Sequence, residues 1–285
     1  MPLYGRAPLQ VTFTDTSTPS GEATYWHWDF GDGDTSEAQN PVHMYNSVGD
    51  YTVTLSIASA KGIDTFTDVV HATGLLAHWR LEEASGSRAD AVGDYDVDEV
   101  GGAIASAAGP VGDAVSIVAA DGKYLQRASG PVLLDFGGGM TVTAWIHIPA
   151  GAPVNAVWFF NGSAFSGNVQ LTTAGAGNSW AFVGIANELG ETQSAGVDLG
   201  ALDTWFFVAG RYDQATKKCS FSVDAGAWTL TGNAALTKDP NVEVGQILIG
   251  YPAPFCPTVY IDDLRAYNCS LTDDEIAALY ALGSP

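Results

Sequence analysis

The sequence has few basic residues and few cysteines, and it has no long apolar run. Its 285 residues contain 11 Lys and Arg against 32 Asp and Glu, which gives a net charge of −21 and a pI near 4.2. Such a chain would repel a phosphate backbone, so nucleic acid is excluded as a partner. No run of about 18 apolar residues occurs, so we expect no segment that inserts into a membrane.

Cysteines and leader signals are equally sparse. The three cysteines, Cys219, Cys256 and Cys269, form no Cys-x-x-Cys metal pattern, and their odd number leaves at least one thiol unpaired within the chain. The opening MPLYGRAPLQ has no basic segment followed by an apolar one. We therefore expect no secretion signal in it.

Motifs of hydrolytic enzymes are missing. The sequence contains no E-x-D-x-x-E carboxylate pattern of jelly-roll glycosidases, no G-x-S-x-G nucleophile turn and no H-E-x-x-H zinc pair. Each of these spacings places reacting groups together, and a chain without them lacks the corresponding chemistry. The sequence therefore predicts a protein that is not an enzyme.

Short alternating stretches rich in Val, Thr and aromatic residues recur along the chain, separated by turns rich in Gly, Pro, Asp, Asn and Ser. This pattern predicts an all-β protein. Only 272–280 indicates a helix, with Thr272 as N-cap and Glu275 three residues later in a capping box. A composition shift near 71–75 divides the chain, and we place the domains at 1–73 and 74–285.

The stretch WHWDFGDGD, residues 26–34, combines aromatic residues with carboxylates. Trp26, Trp28 and Phe30 alternate along a strand, so Trp28 is predicted to lie in a core, and the Gly-Asp-Gly that follows predicts a hairpin turn. A calcium loop is a weak alternative, because the D-x-D-x-D-G register and the glutamate at the twelfth position are absent.

The first domain resembles a PKD domain, an immunoglobulin-like β-sandwich. The segments that support the resemblance are APLQVTFTDTS (7–17), WDFGDG (28–33), NPVHMY (40–45) and GDYTVTL (49–55). Such domains begin with a further strand, for which only MPLYGR remains here. A shortened or missing first strand would leave an open sheet edge, so we predict that this domain docks to a protein scaffold.

The second domain resembles a laminin-G-like, concanavalin A-like jelly roll with one short C-terminal helix. The supporting segments are LAHWRLEEASG (76–86), TVTAWI (141–146), WFFVAGRYD (205–213), IDDLRAYN (261–268) and LTDDEIAALY (271–280). This resemblance implies a binding module whose loops contact glycans or cell-surface ligands. Fold alone does not name the ligand.

The resemblance also implies a structural calcium ion between the first turn and the late I-D-D strand. Mapped onto this sequence, its ligands would be Asp90 in the turn and Asp262 or Asp263 on the strand. Carboxylates and loop carbonyls could supply the six to eight oxygens that calcium takes. The alternative is an acidic surface that water hydrates.

Exposed aromatic rings in the jelly roll could stack on sugar rings. Most aromatic residues will be in the core. The candidate ligand-binding residues are Trp158, Trp180, Trp228, Tyr251 and Phe255, with Phe165 and Asn168 also considered.

The function predicted from these observations is non-enzymatic binding or adhesion at a surface. A phage virion protein, either a capsid decoration or a fibre protein, fits the missing secretion signal and the shortened strand. Its first domain would dock to the capsid and its jelly roll would face outward from the virion surface. The alternative is a carbohydrate-binding accessory module of a secreted bacterial or archaeal surface protein or polysaccharide-degrading enzyme, at an extracellular location.

Overall fold

The chain forms two compact units, Met1–Gly74 and Leu75–Pro285. The computed structural model describes residues 3–18, 23–130, 139–150, 156–162, 168–174, 180–187, 189, 191–200, 202–230, 235–237, 245–250 and 258–284. None of the helices in this described part is long and apolar enough to span a membrane. The all-β prediction with one short C-terminal helix is confirmed.

The described residues of the first unit form seven strands in two sheets. A five-stranded sheet has the order β1-β7-β6-β3-β4, and β2 pairs with β5 in the other sheet. The strands are β1 (Leu3–Arg6), β2 (Leu9–Thr12), β3 (Ala23–Asp29), β4 (Thr35–Ser36), β5 (Val42–Tyr45), β6 (Gly49–Ser59) and β7 (Gly62–Thr73).

Alternating apolar residues of this unit meet in one core. Trp28 and Phe30 are buried there, together with Tyr45 and Val53. The Trp28 indole Nε1 donates a hydrogen bond to the Ala38 carbonyl at 3.1 Å, so its polar atom is satisfied inside the core. Trp28 is therefore a core residue, as its position in the alternating strand predicts.

The first strand is short but present. β1 runs parallel to β7 and pairs only with its last four residues, from Leu3 opposite Val70 to Arg6 opposite Thr73. The sequence left open whether this strand was shortened or missing, and the described residues contain a strand of four residues here.

In the second unit, the part of the chain that the structure describes forms two large sheets and one helix. Its strands are β8 (Leu75–Trp79), β9 (Asp98–Val100), β10 (Ala105–Gly109), β11 (Gly112–Ile117), β12 (Tyr124–Gly130), β13 (Met140–His147), β14 (Ala156–Gly162), β15 (Asn168–Ala174), β16 (Trp180–Ala186), β17 (Thr192–Asp198), β18 (Trp205–Asp213), β19 (Lys218–Val223), β20 (Thr229–Leu230), β21 (Gly245–Ile249) and β22 (Val259–Tyr267). A short 3₁₀ turn spans Ala119–Asp121, and the helix α1 spans Asp273–Gly283.

The main core lies between these two sheets. One sheet has the order β10-β11-β22-β13-β18-β19-β20, with β8 also paired to β22, and the other has the order β17-β16-β15-β14-β21-β12-β9. Val142 and Val208 from the first sheet, and Phe159 and Leu171 from the second, are buried in one cluster. Burial of each such side chain contributes about 1.5–3 kcal/mol.

The helix α1 packs against the opposite face of the first sheet. Ile276 of the helix is buried with Trp145 and Phe207 of the sheet in a separate cluster. Thr272 and Glu275 form the predicted capping box: the Thr272 side chain accepts from the Glu275 N–H, and the Glu275 carboxylate accepts from the Thr272 N–H at 2.8 Å. This reciprocal pair fixes where the helix begins.

The turn after Trp28 generates a test of the first unit. Gly31 has a φ of +80°, and a Cβ there would lie 2.6 Å from the Thr52 carbonyl oxygen. Gly33 has a φ of +99° with open space around it. Gly31→Ala should therefore lower the free energy of unfolding by about 3 kcal/mol, and the matched Gly33→Ala by about 1 kcal/mol.

Urea denaturation of both variants, followed by tryptophan fluorescence, measures the difference. Equal losses of stability for the two variants would contradict the close approach of Gly31 to β6.

Candidate functional site

The carboxylate of Asp90 is fully engaged by the backbone of its own loop. Oδ1 accepts the N–H groups of His78 at 2.8 Å and Val92 at 3.0 Å, and Oδ2 accepts those of Gly93 at 3.0 Å and Tyr95 at 3.3 Å. Four backbone donors that need an acceptor are thus satisfied by one side chain. Asp90 therefore holds the fold of the loop between β8 and β9.

Asp263 lies at a bulge in β22 and contacts the side chains of a histidine and an arginine. Its φ is +49°, in the left-handed region, where the register between β22 and β13 shifts. Its Oδ1 lies 2.6 Å from Nε2 of His78 and accepts from Nη2 of Arg265 at 3.0 Å. The carboxylate therefore connects β22 to β8 through His78.

Asp262 points to a different partner and is completely buried. Its Oδ2 accepts the Val111 N–H at 2.8 Å, and Gly109 is next to it, where a Cβ would collide with the carboxylate. Its Oδ1 has no hydrogen-bond partner among the described residues. Burial raises the pKa of Asp262 to about 6, although the hydrogen bond from Val111 opposes the shift.

The three predicted calcium ligands differ in how well they fit an ion. Asp262 fits, because it is a buried carboxylate with one oxygen that lacks a described partner. Asp90 does not fit as arranged, because both of its oxygens accept backbone N–H groups. Asp263 has Oδ1 occupied by His78 and Arg265, but its buried Oδ2 also has no described partner. The calcium site stays a prediction, with Asp262 and the Oδ2 of Asp263 as its best-supported ligands.

A different group of side chains is arranged as metal ligands could be. Within the described residues, Asp32, Asp34 and His43 place one ligand atom each within 4.8 Å of one another. Nε2 of His43 lies 2.7 Å from Oδ2 of Asp32, and the imidazole stacks on Phe30 at 4.1 Å between ring centroids. The sequence pattern places Asp32 in a hairpin turn and gives no sign of His43, because only the fold brings His43 to this turn.

Trp228 is covered on one face. The Arg211 guanidinium carbon lies 3.9 Å from the centre of its ring, and the indole Nε1 donates to Oδ1 of Asp273 at 2.7 Å. A sugar could not stack on the face that Arg211 occupies unless the guanidinium moved. The structure thus gives Trp228 a contact with the start of α1.

The other aromatic candidates lie elsewhere. Trp158 and Trp180 lie on β14 and β16, strands that β15 separates in one sheet. Asn168 begins β15 and pairs with Gly162 and Ala186. Tyr251, Phe255 and Phe165 fall outside the described residues.

Three glutamines lie on the face of the seven-stranded sheet that points away from the main core. Gln126 follows the buried Leu125 on β12, Gln170 precedes the buried Leu171 on β15, and Gln246 lies on β21. Side chains alternate between the two faces of a strand, so the glutamines face outward when their neighbours face the core. All three are half-buried. We call Gln126, Gln170 and Gln246 the glutamine face.

The amides of the glutamine face are ordered by local contacts. Nε2 of Gln126 donates to Oε1 of Gln246 at 2.8 Å. Gln170 lies opposite Gly184 on β16, where a Cβ would be 3.2 Å from its Nε2, so the glycine leaves room for the amide. The exposed Ser194 continues the row on β17. From β12 to β17 the face spans roughly 24 Å at the usual strand spacing.

Apolar residues adjoin these amides. Val157 and the buried Leu248 form a small cluster on the same face, with Tyr124 packed against it. Val157 and Leu248 are buried, so Tyr124 is the member of this cluster that offers accessible apolar surface. Apolar surface with a few polar groups at fixed positions is typical of sites for small ligands. The arrangement can bind an uncharged ligand that offers both hydrogen bonds and apolar contact.

Two family profiles match the chain. The profile of the PKD domain matches residues 4–73, and that of the "Concanavalin A-like lectin/glucanases superfamily" matches residues 120–277. Both resemblances found in the sequence are confirmed in order and position. The chain is a PKD domain followed by a lectin-like jelly roll.

Curated relatives match a short part of the chain. A "Microbial collagenase" of Vibrio alginolyticus is 37% identical over 75 residues, 25% of this chain and 9% of the collagenase. "Collagenase ColQ1" of Bacillus cereus (strain Q1) is 48% identical over 54 residues, 19% of this chain and 6% of that protein. The chain therefore spans less than a tenth of the length of these relatives.

Solved structures share the fold. The "Botulinum Neurotoxin Type G Receptor Binding Domain" has a TM-score of 0.55 at 11% identity, covering 74% of this chain and 52% of that one. Domain 4 of AbnA, a GH43 extracellular arabinanase from Geobacillus stearothermophilus in complex with arabinotriose, has a TM-score of 0.52 at 15% identity, covering 74% and 99%.

The buried carboxyl of Asp262 generates a pH-dependent prediction. Its folded pKa of about 6 lies above the ordinary value of 3.8, so the fold binds this proton more tightly than the unfolded chain does. In metal-free buffer, protonation of Asp262 should therefore raise the free energy of unfolding as the pH falls from 7 to 4. At pH 7, Asp262→Asn should raise the free energy of unfolding by on the order of 3 kcal/mol.

Thermal denaturation in chelator at pH 4 and pH 7 measures this effect, with the exposed Asp113→Asn as the matched control. If Asp262→Asn were less stable than the unsubstituted chain at pH 7, this would contradict the claim that ionised Asp262 is a buried charge without a compensating partner.

Proposed function

The chain belongs to the concanavalin A-like lectin/glucanases superfamily, and on that premise we propose that residues 75–285 form a non-catalytic module for neutral glycans. Residues 1–74 join this module to a larger assembly. The glutamine face is the observation that carries the proposal. Its primary amides offer both donors and acceptors, which match the hydroxyl groups of sugars.

Charge favours uncharged glycans over acidic ones. Residues 75–285 contain 23 acidic and nine basic residues, a net charge of −14. A uronate-rich or sulfated polysaccharide would be repelled by this field, whereas a neutral glycan would not. The amides of Gln126 and Gln170 carry no charge and would bind either kind by hydrogen bonds alone.

The roles of three carboxylates of the second unit support a function without catalysis. Asp90 and Asp262 accept backbone N–H groups, and so does Asp224 from Phe207 at 2.9 Å. A glycosidase needs two carboxyl groups that face the scissile bond from opposite sides. Carboxylates that satisfy loop amides serve the fold instead.

The relatives favour one of the two locations expected from the sequence. Collagenases carry the related PKD segment, and domain 4 of AbnA belongs to an extracellular enzyme in complex with arabinotriose. They support an accessory module of a secreted or surface protein, and we propose an extracellular location. A virion decoration or fibre protein stays a prediction.

Glycan binding can be tested on an array of neutral and acidic glycans with the full chain. We expect selective binding of neutral glycans, and Gln126→Ala and Gln170→Ala should each weaken it by about fivefold, because each removes a hydrogen bond. Gln214→Ala, in the turn between β18 and β19, is the matched control.

If the chain bound no glycan on the array, this would contradict the proposed function. Binding that both variants leave unchanged would move the site away from the glutamine face, and the same array with Trp158→Ala and Trp180→Ala would then test the aromatic candidates.

We also propose that calcium binds at Asp262. An ion there would hold the carboxylate ionised and supply the partner that its Oδ1 lacks among the described residues. Calcium should then raise the melting temperature at pH 7 and chelator should lower it, whereas Asp262→Asn should respond to neither. No shift with calcium in the unsubstituted chain would contradict the site.

A further inference from the structure

The first unit has a strand that extends past its neighbour. β6 pairs with β7 along its whole length, from Gly49 opposite Ala72 to Ser59 opposite Gly62. On the other side, the described residues of β1 pair only with Val70–Thr73, so within the described part of the chain no strand pairs with Gly62–Val69 on that side. We call Gly62–Val69 the β7 edge. Edges of this kind accept strands from other chains.

A groove runs beside the β7 edge and opens onto the core. Its volume is about 410 Å³, and its apolar lining includes Val11, Phe13, Trp28, Leu55 and Phe66. Phe66 lies opposite the buried Leu55 of β6, on the core side of the sheet, and yet it is 65% exposed. Ile63 on the same edge is 80% exposed. Such apolar exposure is unfavourable in water and marks a contact surface.

Two carboxylates cover the backbone of the β7 edge. Oδ1 of Asp64 accepts the Thr65 N–H at 2.9 Å, and Oδ1 of Asp68 accepts the Val69 N–H at 2.9 Å. In an antiparallel ladder alternate residues direct their N–H groups away from the paired strand, so Thr67 between them faces the same way. Both aspartates are exposed.

This arrangement selects the charge of an incoming strand. The first unit has nine acidic and two basic residues, a net charge of −7. A second copy of this chain would bring Asp64 and Asp68 against the same charges and would be repelled. A strand with lysine or arginine would pair with these carboxylates and draw them away from the N–H groups, which could then donate to its carbonyls.

We propose that the β7 edge binds an extended cationic polypeptide segment by strand addition. Apolar side chains of that segment fill the groove over Phe66, and its basic side chains pair with Asp64 and Asp68. This inference rests on the proposed role of the first unit in joining the module to an assembly, and it specifies the chemistry of the partner.

Because Asp64, Phe66 and Asp68 lie on one face of β7, the probe must carry its lysines and valines on one face as well. It is a synthetic peptide, KTVTKTVTK, compared with ETVTETVTE, which has the same apolar residues and the opposite charge. Fluorescence anisotropy with the full chain should detect binding of the lysine peptide below about 1 mM, and added salt should weaken it. The glutamate peptide should not bind.

Three variants locate the contact. Phe66→Ala removes the apolar contact, and Thr67→Pro removes an N–H of the edge without touching the ladder to β6, so each should weaken lysine-peptide binding by about tenfold. Val42→Ala, which changes a 56% exposed residue of β5, is the matched control and should bind normally. The double variant Asp64→Asn with Asp68→Asn should lose the preference for lysine.

Absence of binding, equal binding of both peptides, or unchanged binding in both Phe66→Ala and Thr67→Pro would overturn the proposal. A dimer in sedimentation that Thr67→Pro dissociates would also overturn it, since a second copy would then occupy the edge. Glycan binding measured on the same protein is independent, so failure of either function is recognised separately.

Discussion

The carboxylate of Asp90 accepts four backbone N–H groups and ties its loop to β8, the first strand of the second unit, which pairs with the last strand, β22. One of the donors is His78 on β8, whose imidazole contacts Asp263 on β22. The contact between His78 and Asp263 joins two residues that are 185 positions apart in the sequence. Backbone N–H groups that have no partner in a strand ladder need another acceptor, and a carboxylate with two oxygens satisfies several of them at once.

The need for acceptors of backbone N–H groups also explains why so acidic a chain presents an uncharged candidate binding face. Many of its carboxylates are acceptors inside the fold: Glu99 accepts the Ile104 N–H and binds the fully buried Arg88. The glutamine face is made instead from alternating residues of regular strands, where the ladder already satisfies the backbone. In the first unit, Asp64 and Asp68 have a related role at the exposed β7 edge. They accept its backbone N–H groups and make the edge negatively charged.

Local features of the sequence predicted much of the fold. Trp28 alternates with its neighbours and is in the core, and Thr272 with Glu275 forms the capping box that their spacing predicts. Features that depend on distant partners were not predictable. In the sequence Asp90 resembled a metal ligand, because the four N–H groups that it accepts are brought to it only by the loop conformation. Trp228 resembled a residue that stacks on sugars, because Arg211 reaches it only when the sheet and the helix are paired. The glutamine face was missed because half-buried amides produce no distinctive motif.

The central claim is that the second unit binds neutral glycans through the glutamine face. The most direct measurement is a titration of the isotope-labelled full chain with a neutral oligosaccharide such as arabinotriose, with the side-chain amide signals of glutamines observed by NMR. The signals of Gln126, Gln170 and Gln246 should shift together with one dissociation constant, and that of Gln214 should stay in place. Shifts confined to residues outside this face, or no shifts with any neutral oligosaccharide, would contradict the claim.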